Sequence, residues 1–206
     1  MSVRRVGIVV ISSLAVSAYA ANPFLDAKND KPVSANFRGT EWNDEFPEHD
    51  IPHDIPLTAR VITTRIAKMP WGAIFKVEVT DLKSRAPEKR EIPPLYFIVT
   101  DDHIVLLNEQ DNEAGAKKIS TMDKPPEFEP DYVYGITTGK FSHEDGPWMT
   151  TIEIKGDECT YLHSHTGSGH FTKVVWKKGV GLVEYASNYG AYREGFRLKR
   201  STSKKP

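Results

Sequence analysis

The chain has 206 residues, 39% of them hydrophobic, with 14 Gly and 14 Pro along its length, which suits one globular domain able to bury a real core. Lys and Arg number 27 against 28 Asp and Glu, a formal charge of −1, and this balance argues against nucleic acid as a partner, whose binding rests on clustered basic side chains. The single cysteine, Cys159, excludes an internal disulfide.

The first twenty residues, MSVRRVGIVVISSLAVSAYA, place Arg4 and Arg5 before an apolar run that ends at Ala18-Tyr19-Ala20. That is the layout of a secretory signal peptide over 1–20. Cleavage there removes two arginines, leaves 25 basic side chains against 28 acidic ones, and takes the charge to −3. Nothing later approaches the ~20 uninterrupted apolar residues of a membrane span, and Cys159 lies far from the cleavage region, so it cannot serve as a lipoprotein anchor. The expected location is the bacterial periplasm or the medium.

Residues 21–56 are polar and punctuated by proline, with FPEHDIPHDIP at their end. Proline removes backbone donors and turns its preceding neighbour away from helix. The segment is therefore predicted to be an extended arm over the body, touching it through Phe37, Trp42 and Phe46, and neither a helix nor a central strand.

From 57 to 200 the pattern predicts antiparallel β structure. Strands rich in Val, Ile, Thr, Tyr and Phe are expected at 57–68, 71–80, 94–100, 103–108, 132–141, 148–155, 158–165, 170–178, 182–187 and 196–200. Alternation is clear at Ala73, Phe75, Val77 and Val79 against Lys76, Glu78 and Thr80. Only 108–122 can hold a short helix, 81–93 and 123–131 read as loops, and the tail 201–206 as disordered. Hairpin turns are expected at Thr100–Asp102 and at Gly156-Asp157. The predicted fold class is all-β: a single antiparallel domain of about ten strands, as a sandwich or a curved half-barrel.

The Gly156-Asp157 turn sets a register. If Lys155 faces Glu158, then Ile154 faces Cys159, Ile152 faces Tyr161, Thr150 faces His163 and Trp148 faces His165. The next turn, through Thr166 to Gly169, sets His165 against His170, His163 against Thr172, Tyr161 against Val174 and Cys159 against Trp176. One face then carries Trp148, Ile152, Ile154, Cys159, Tyr161, Val174 and Trp176 with all three histidines. Opposed Cβ atoms lie ~5 Å apart, so His163, His165 and His170 can converge on a Zn, Ni or Cu ion. The segment SHEDGPW, read as a loop, arrives at the same end, so His143, Glu144 or Asp145 can add a fourth ligand or an acceptor behind one. The plainer reading is that histidine fills a core rim, with its ring packed and one nitrogen wet; the spacing His-x-His-x4-His matches no structural zinc pattern.

Other constellations point to less. His49, Asp50, His53 and Asp54 surround Pro52, which prevents a helical presentation of paired ligands. Ser168 sits between two strands, whereas a nucleophile elbow joins a strand to a helix. Asp101, Asp102, Glu109 and Asp111, with His103 beside them, read as solvated turn residues, and Cys159 as an inert buried thiol.

Near the C-terminus, Trp176, Gly179, Gly181, Leu182, Val183 and Tyr185 resemble the aromatic-x-x-Gly-x-Gly-Leu-Val hairpin that ends many small exported bacterial β proteins, including half-barrel sheets of the lipoprotein-carrier type. The likeness covers under a fifth of the chain. It implies a topology and no catalytic residues; the proline-rich arm and the histidine hairpin are not part of it.

Two functions fit this sequence. The first is an envelope binding or interaction protein for an apolar ligand, a cell-wall component or a protein partner, with an inhibitor or immunity role included. The second is a metal carrier or metal-dependent hydrolase using His143, His163, His165 and His170. An enzyme needs an open coordination position beside a concave pocket; a binding module needs only an apolar patch or cavity.

Overall fold

The structure is a computed structural model that describes residues 22–25, 31–43, 54–86, 90–100, 104–107, 112–126, 140–190 and 194–202. Among the described residues eleven strands form one sheet: β1 (Val33–Asn43), β2 (Ile55–Met69), β3 (Gly72–Ser84), β4 (Leu95–Val99), β5 (Ile104–Leu106), β6 (Lys140–Asp145), β7 (Trp148–Lys155), β8 (Glu158–His165), β9 (Phe171–Lys177), β10 (Gly181–Tyr189) and β11 (Glu194–Arg200). Every pairing is antiparallel, in the order β5-β4-β3-β2-β1-β11-β10-β9-β8-β7-β6. The sheet curls into a half-barrel, so of the two architectures expected the sandwich of two sheets is not the one formed.

The curl follows from what the strands bury. In β2, Ile55, Leu57, Ala59 and Val61 point inward while Pro56, Thr58 and Arg60 face water, the period-2 pattern of a sheet with one wet side. Phe97 on β4 and Trp176 on β9 lie six strands apart in the sheet order. At ~4.8 Å per strand a flat sheet would separate them by roughly 29 Å. Instead their rings meet edge to face with centroids 5.1 Å apart. The interior is thus a continuous apolar cluster in which side chains of β2, β3 and β4 meet those of β7, β8, β9 and β10 across the curl.

The segment expected to be an arm differs from that expectation. Val33–Asn43 is a central strand, hydrogen-bonded to β2 on one side and β11 on the other. The prolines of 21–56 stand outside it, at 23, 32, 47, 52 and 56, so β1 itself keeps all its N–H donors; Pro56 opposes Thr40 from the start of β2. Within it Val33, Ala35 and Phe37 alternate with Ser34, Asn36 and Arg38. Gly39 is required by the crossing: a Cβ there would collide with the Arg197 carbonyl oxygen of β11. The proline- and histidine-rich stretch 44–53 lies outside the described residues, as do the signal-peptide segment, residues 132–139 of the strand expected over 132–141 and residues 203–206 of the expected tail.

Residues 22–25, just beyond the expected cleavage point, join the core. Phe24 is 1% exposed, and Lys178 lies over its ring at 5.4 Å. Asn22 Nδ2 donates to the Thr100 carbonyl at 3.0 Å and its Oδ1 accepts from Phe24 N–H at 3.0 Å. Gly179 N–H donates to the Pro23 carbonyl at 3.1 Å, which ties the segment to the β9–β10 turn.

The expected short helix forms as α1 (Asn112–Ile119), with Glu113 in its first turn and Lys117 and Lys118 in its last, charges that suit the helix dipole. It packs on the outer face, where Ala116 joins Met69, Ile74 and Tyr96 in a second small core.

Candidate functional site

The register argued from the Gly156-Asp157 turn is the register formed. β7 and β8 pair Lys155 with Glu158, Ile154 with Cys159, Ile152 with Tyr161, Thr150 with His163 and Trp148 with His165. β8 and β9 pair Cys159 with Trp176, Tyr161 with Val174 and His163 with Thr172, and the His165 N–H donates to the His170 carbonyl at 2.8 Å. Gly156 takes φ 62°, the left-handed conformation that a two-residue hairpin asks for. The SHEDGPW segment differs from the expected loop. Ser142 to Asp145 belong to β6, where His143 pairs with Thr150, so the His143 backbone lies two strands from His163, about 10 Å away.

The three histidines converge on Trp148, and two of them, His165 and His170, also meet each other. Trp148 stacks on His163 with centroids 4.7 Å apart and planes 2° from parallel, and meets His165 edge to face at 4.9 Å and His170 at 6.3 Å. The His165 and His170 rings are 6.2 Å apart, and His170 meets Tyr189 edge-on at 4.3 Å. His163 Nδ1 lies 2.9 Å from Thr150 Oγ1 in a hydrogen bond whose direction follows the tautomer. Burial in this stack holds the His163 pKa below the ordinary 6.5, because a charged imidazolium there would lose its hydration.

His165 Nδ1 accepts from the N–H of Gly167 at 3.2 Å and of Ser168 at 3.0 Å. Those bonds need the Nδ1 lone pair, which places the proton of a neutral ring on Nε2. His170 Nδ1 is hydrogen-bonded to Ser168 Oγ, so Ser168 serves the turn. No group of three His, Cys, Asp or Glu among the described residues is placed to hold a metal ion. Cys159, also inward, is 3% exposed, and burial pushes its thiol up to about 11. His49, Asp50, His53, Asp101, Asp102, His103, Glu109 and Asp111 lie outside the described residues; Asp54 is exposed.

The opposite end of the interior holds a cavity. Trp176 lies six positions along the chain from His170, about 20 Å of extended strand. Beyond Trp176 the interior opens into a space of about 400 Å³ walled by Ala35, Phe37, Val61, Phe75, Trp176 and Leu182 among others. That lies within the ~300–1,000 Å³ typical of small-molecule sites. Leu25 of the N-terminal segment contributes to its wall, and Val33 and Val180, 44% and 39% exposed, contribute apolar surface at its edge. Thr63 of β2 and Arg200 of β11 are its polar side chains. The space exists because small residues face inward there: Ala35, Thr63, and the Gly179 and Gly181 of the turn.

A buried ion pair, which the sequence reading missed, stands nearer the histidine end. Glu41, 2% exposed, accepts from Arg90 Nε at 3.1 Å and from Ser84 Oγ. Arg90 Nη1 lies 3.2 Å from Glu194, and the guanidinium sits 5.8 Å from the Phe196 ring centroid. On the outer face, Glu184 receives Lys173 at 3.0 Å, Arg197 at 3.6 Å and Lys199 at 3.8 Å. These charges secure the fold, whereas the cavity at the Trp176 end has room for a second molecule.

The hairpin expected from Trp176, Gly179, Gly181 and Leu182 is present: Gly179 and Gly181 take φ 70° and 85°, and a bulge follows between Leu182 and Glu184. No helix among the described residues is long and apolar enough to cross a membrane. Compared with known proteins, the chain matches no protein family, no curated protein and no solved structure.

Proposed function

We propose that this protein is a binding module of the bacterial envelope that takes an apolar small molecule into the mouth of its half-barrel. The carrying observation is the cavity of about 400 Å³ walled by Ala35, Phe37, Val61, Phe75 and Leu182. An apolar lining with few polar side chains is how small-molecule sites are built. The exposed rim of Val33 and Val180 gives an apolar molecule surface to land on before it enters. Export to the periplasm or medium is part of the proposal and rests on the leader-like first twenty residues.

Titration of the full chain with a neutral environment-sensitive dye such as Nile red tests this reading. Saturable binding at one site per chain is expected, abolished by Ala35→Trp, which puts an indole into the cavity from its wall. A folded protein that gives no saturable signal, or an Ala35→Trp variant that binds as well as the parent, would overturn it.

A further inference from the structure

The polar side chains around the cavity offer mostly hydrogen-bond donors. Arg200, at the end of β11, faces Phe37 across the ladder and lies on the inner side of the sheet. Its Nη1 donates to the Val180 carbonyl at 2.7 Å, which anchors the guanidinium beside the β9–β10 turn. That bond uses one of five donors on a group that cannot accept. No carboxylate among the described residues pairs with Arg200: Asp157 and Glu158 are engaged with Lys177, and Glu184 is on the outer face with Lys173, Arg197 and Lys199. Trp176 gives the wall its ring, while its Nε1 is buried away from the open space. Thr63 is the one polar side chain of the lining that can accept.

We infer that the ligand is a single-chain aliphatic anion, its tail in the cavity and its charged head on Arg200. This deepens the binding reading above and rests on it. A cationic head would meet Arg200 with like charge and find no carboxylate among the described lining residues, whereas an anionic head gains charge-assisted bonds from a guanidinium already held in place. The volume sets the tail. At roughly 30 Å³ per heavy atom, the share one water takes in the liquid, 400 Å³ accepts about a dozen atoms, the size of a ten-carbon chain with its head.

The test titrates the full-length protein with decanoate, decyl phosphate, decanol and decyltrimethylammonium, each below its micelle concentration, and repeats it with Arg200→Met and Arg200→Lys. Decanoate or decyl phosphate is expected to bind one per chain and at least about tenfold more tightly than decanol, the worth of a charged hydrogen bond. The better of the two anions identifies the head as carboxylate or phosphate. Arg200→Met should remove that preference and leave decanol unchanged, while Arg200→Lys keeps part of it. Added salt should weaken the anions alone in the wild-type protein, a readout that needs no variant. Equal binding of decanol and both anions, or a preference for the ammonium, overturns the head assignment and leaves the apolar cavity intact. No saturable binding of any of the four overturns both.

Discussion

Trp148 lies flat on His163, their planes 2° apart, although the two residues are not directly opposed: Trp148 pairs with His165, and His163 pairs with Thr150. The contact is diagonal across the β7–β8 ladder, which brings the large indole over the imidazole and dries it. A protonated His163 has to give up water to stay in that place, so its neutral form is favoured in the folded state.

Stability should therefore depend on pH through His163. Above the ordinary 6.5 both folded and unfolded chains hold the ring neutral, and the folded state keeps its full stability. As pH falls through 6.5 the unfolded chain takes up a proton that the folded one resists, so stability is lost until the lowered folded pKa is reached. Urea midpoints at pH 7.5, 6.5 and 5.5 should fall more steeply for wild type than for His163→Gln. Parallel curves for the two proteins would remove His163 as the cause.

Phe24 should matter to the fold as much as a residue of the strands does. Its ring is 1% exposed and fixed by the Asn22 and Pro23 hydrogen bonds. Phe24→Ala is expected to cost about 3–5 kcal/mol, the loss typical of a large aromatic removed from a core. Denaturant unfolding measures it, and a loss under about 1 kcal/mol would show that the segment merely rests on the body.

The Glu41–Arg90 pair predicts an asymmetry between variants. Arg90→Ala leaves the Glu41 carboxylate, 3% exposed at its side chain, without its partner. That is expected to cost about 3–5 kcal/mol, whereas replacing both residues by leucine costs much less, because a buried charge is expensive chiefly when alone. A double-mutant cycle checks this, and additive losses would contradict it.

Cys159 is expected to be silent in the native protein. With the thiol pushed up to about 11 and almost no exposed surface, little thiolate exists at neutral pH and a reagent cannot reach it. Mass spectrometry after iodoacetamide should find no adduct on the folded chain and one in urea. Prompt labelling without denaturant would argue that the interior opens on its own.

The sequence was most legible where a short turn fixed everything after it. Gly156-Asp157 permits one register, and the period-2 side-chain pattern then assigns each face from Trp148 to Trp176. β1 was misread because five prolines over 21–56 coloured the whole segment, although none falls between Val33 and Asn43 and its alternation is plain. β6, with the sequence KFSHED, is an edge strand; an edge pairs on one side only and is often polar, so it carries no apolar signature. The cavity could not be read at all. It arises where Ala35, Thr63 and Gly181 from three separate strands leave the curled interior unfilled, and only the folded sheet brings those positions together. Arg200 was visible only as one basic residue in FRLKR, since its inward placement depends on pairing with Phe37.

The strand order has a consequence for how the chain assembles. Every neighbour in the sheet is also a neighbour in sequence except one: β1 lies against β11. Each half, β1 to β5 and β6 to β11, can zip up as a meander in which consecutive strands are at most eleven residues apart, so each closure is local and kinetically cheap. The junction of first and last strands is the single step that must span the whole polypeptide. Side chains along that junction, with Gly39 at its centre, are where substitutions should slow folding most, and a chain re-started elsewhere with its old ends fused would make that same contact a local one.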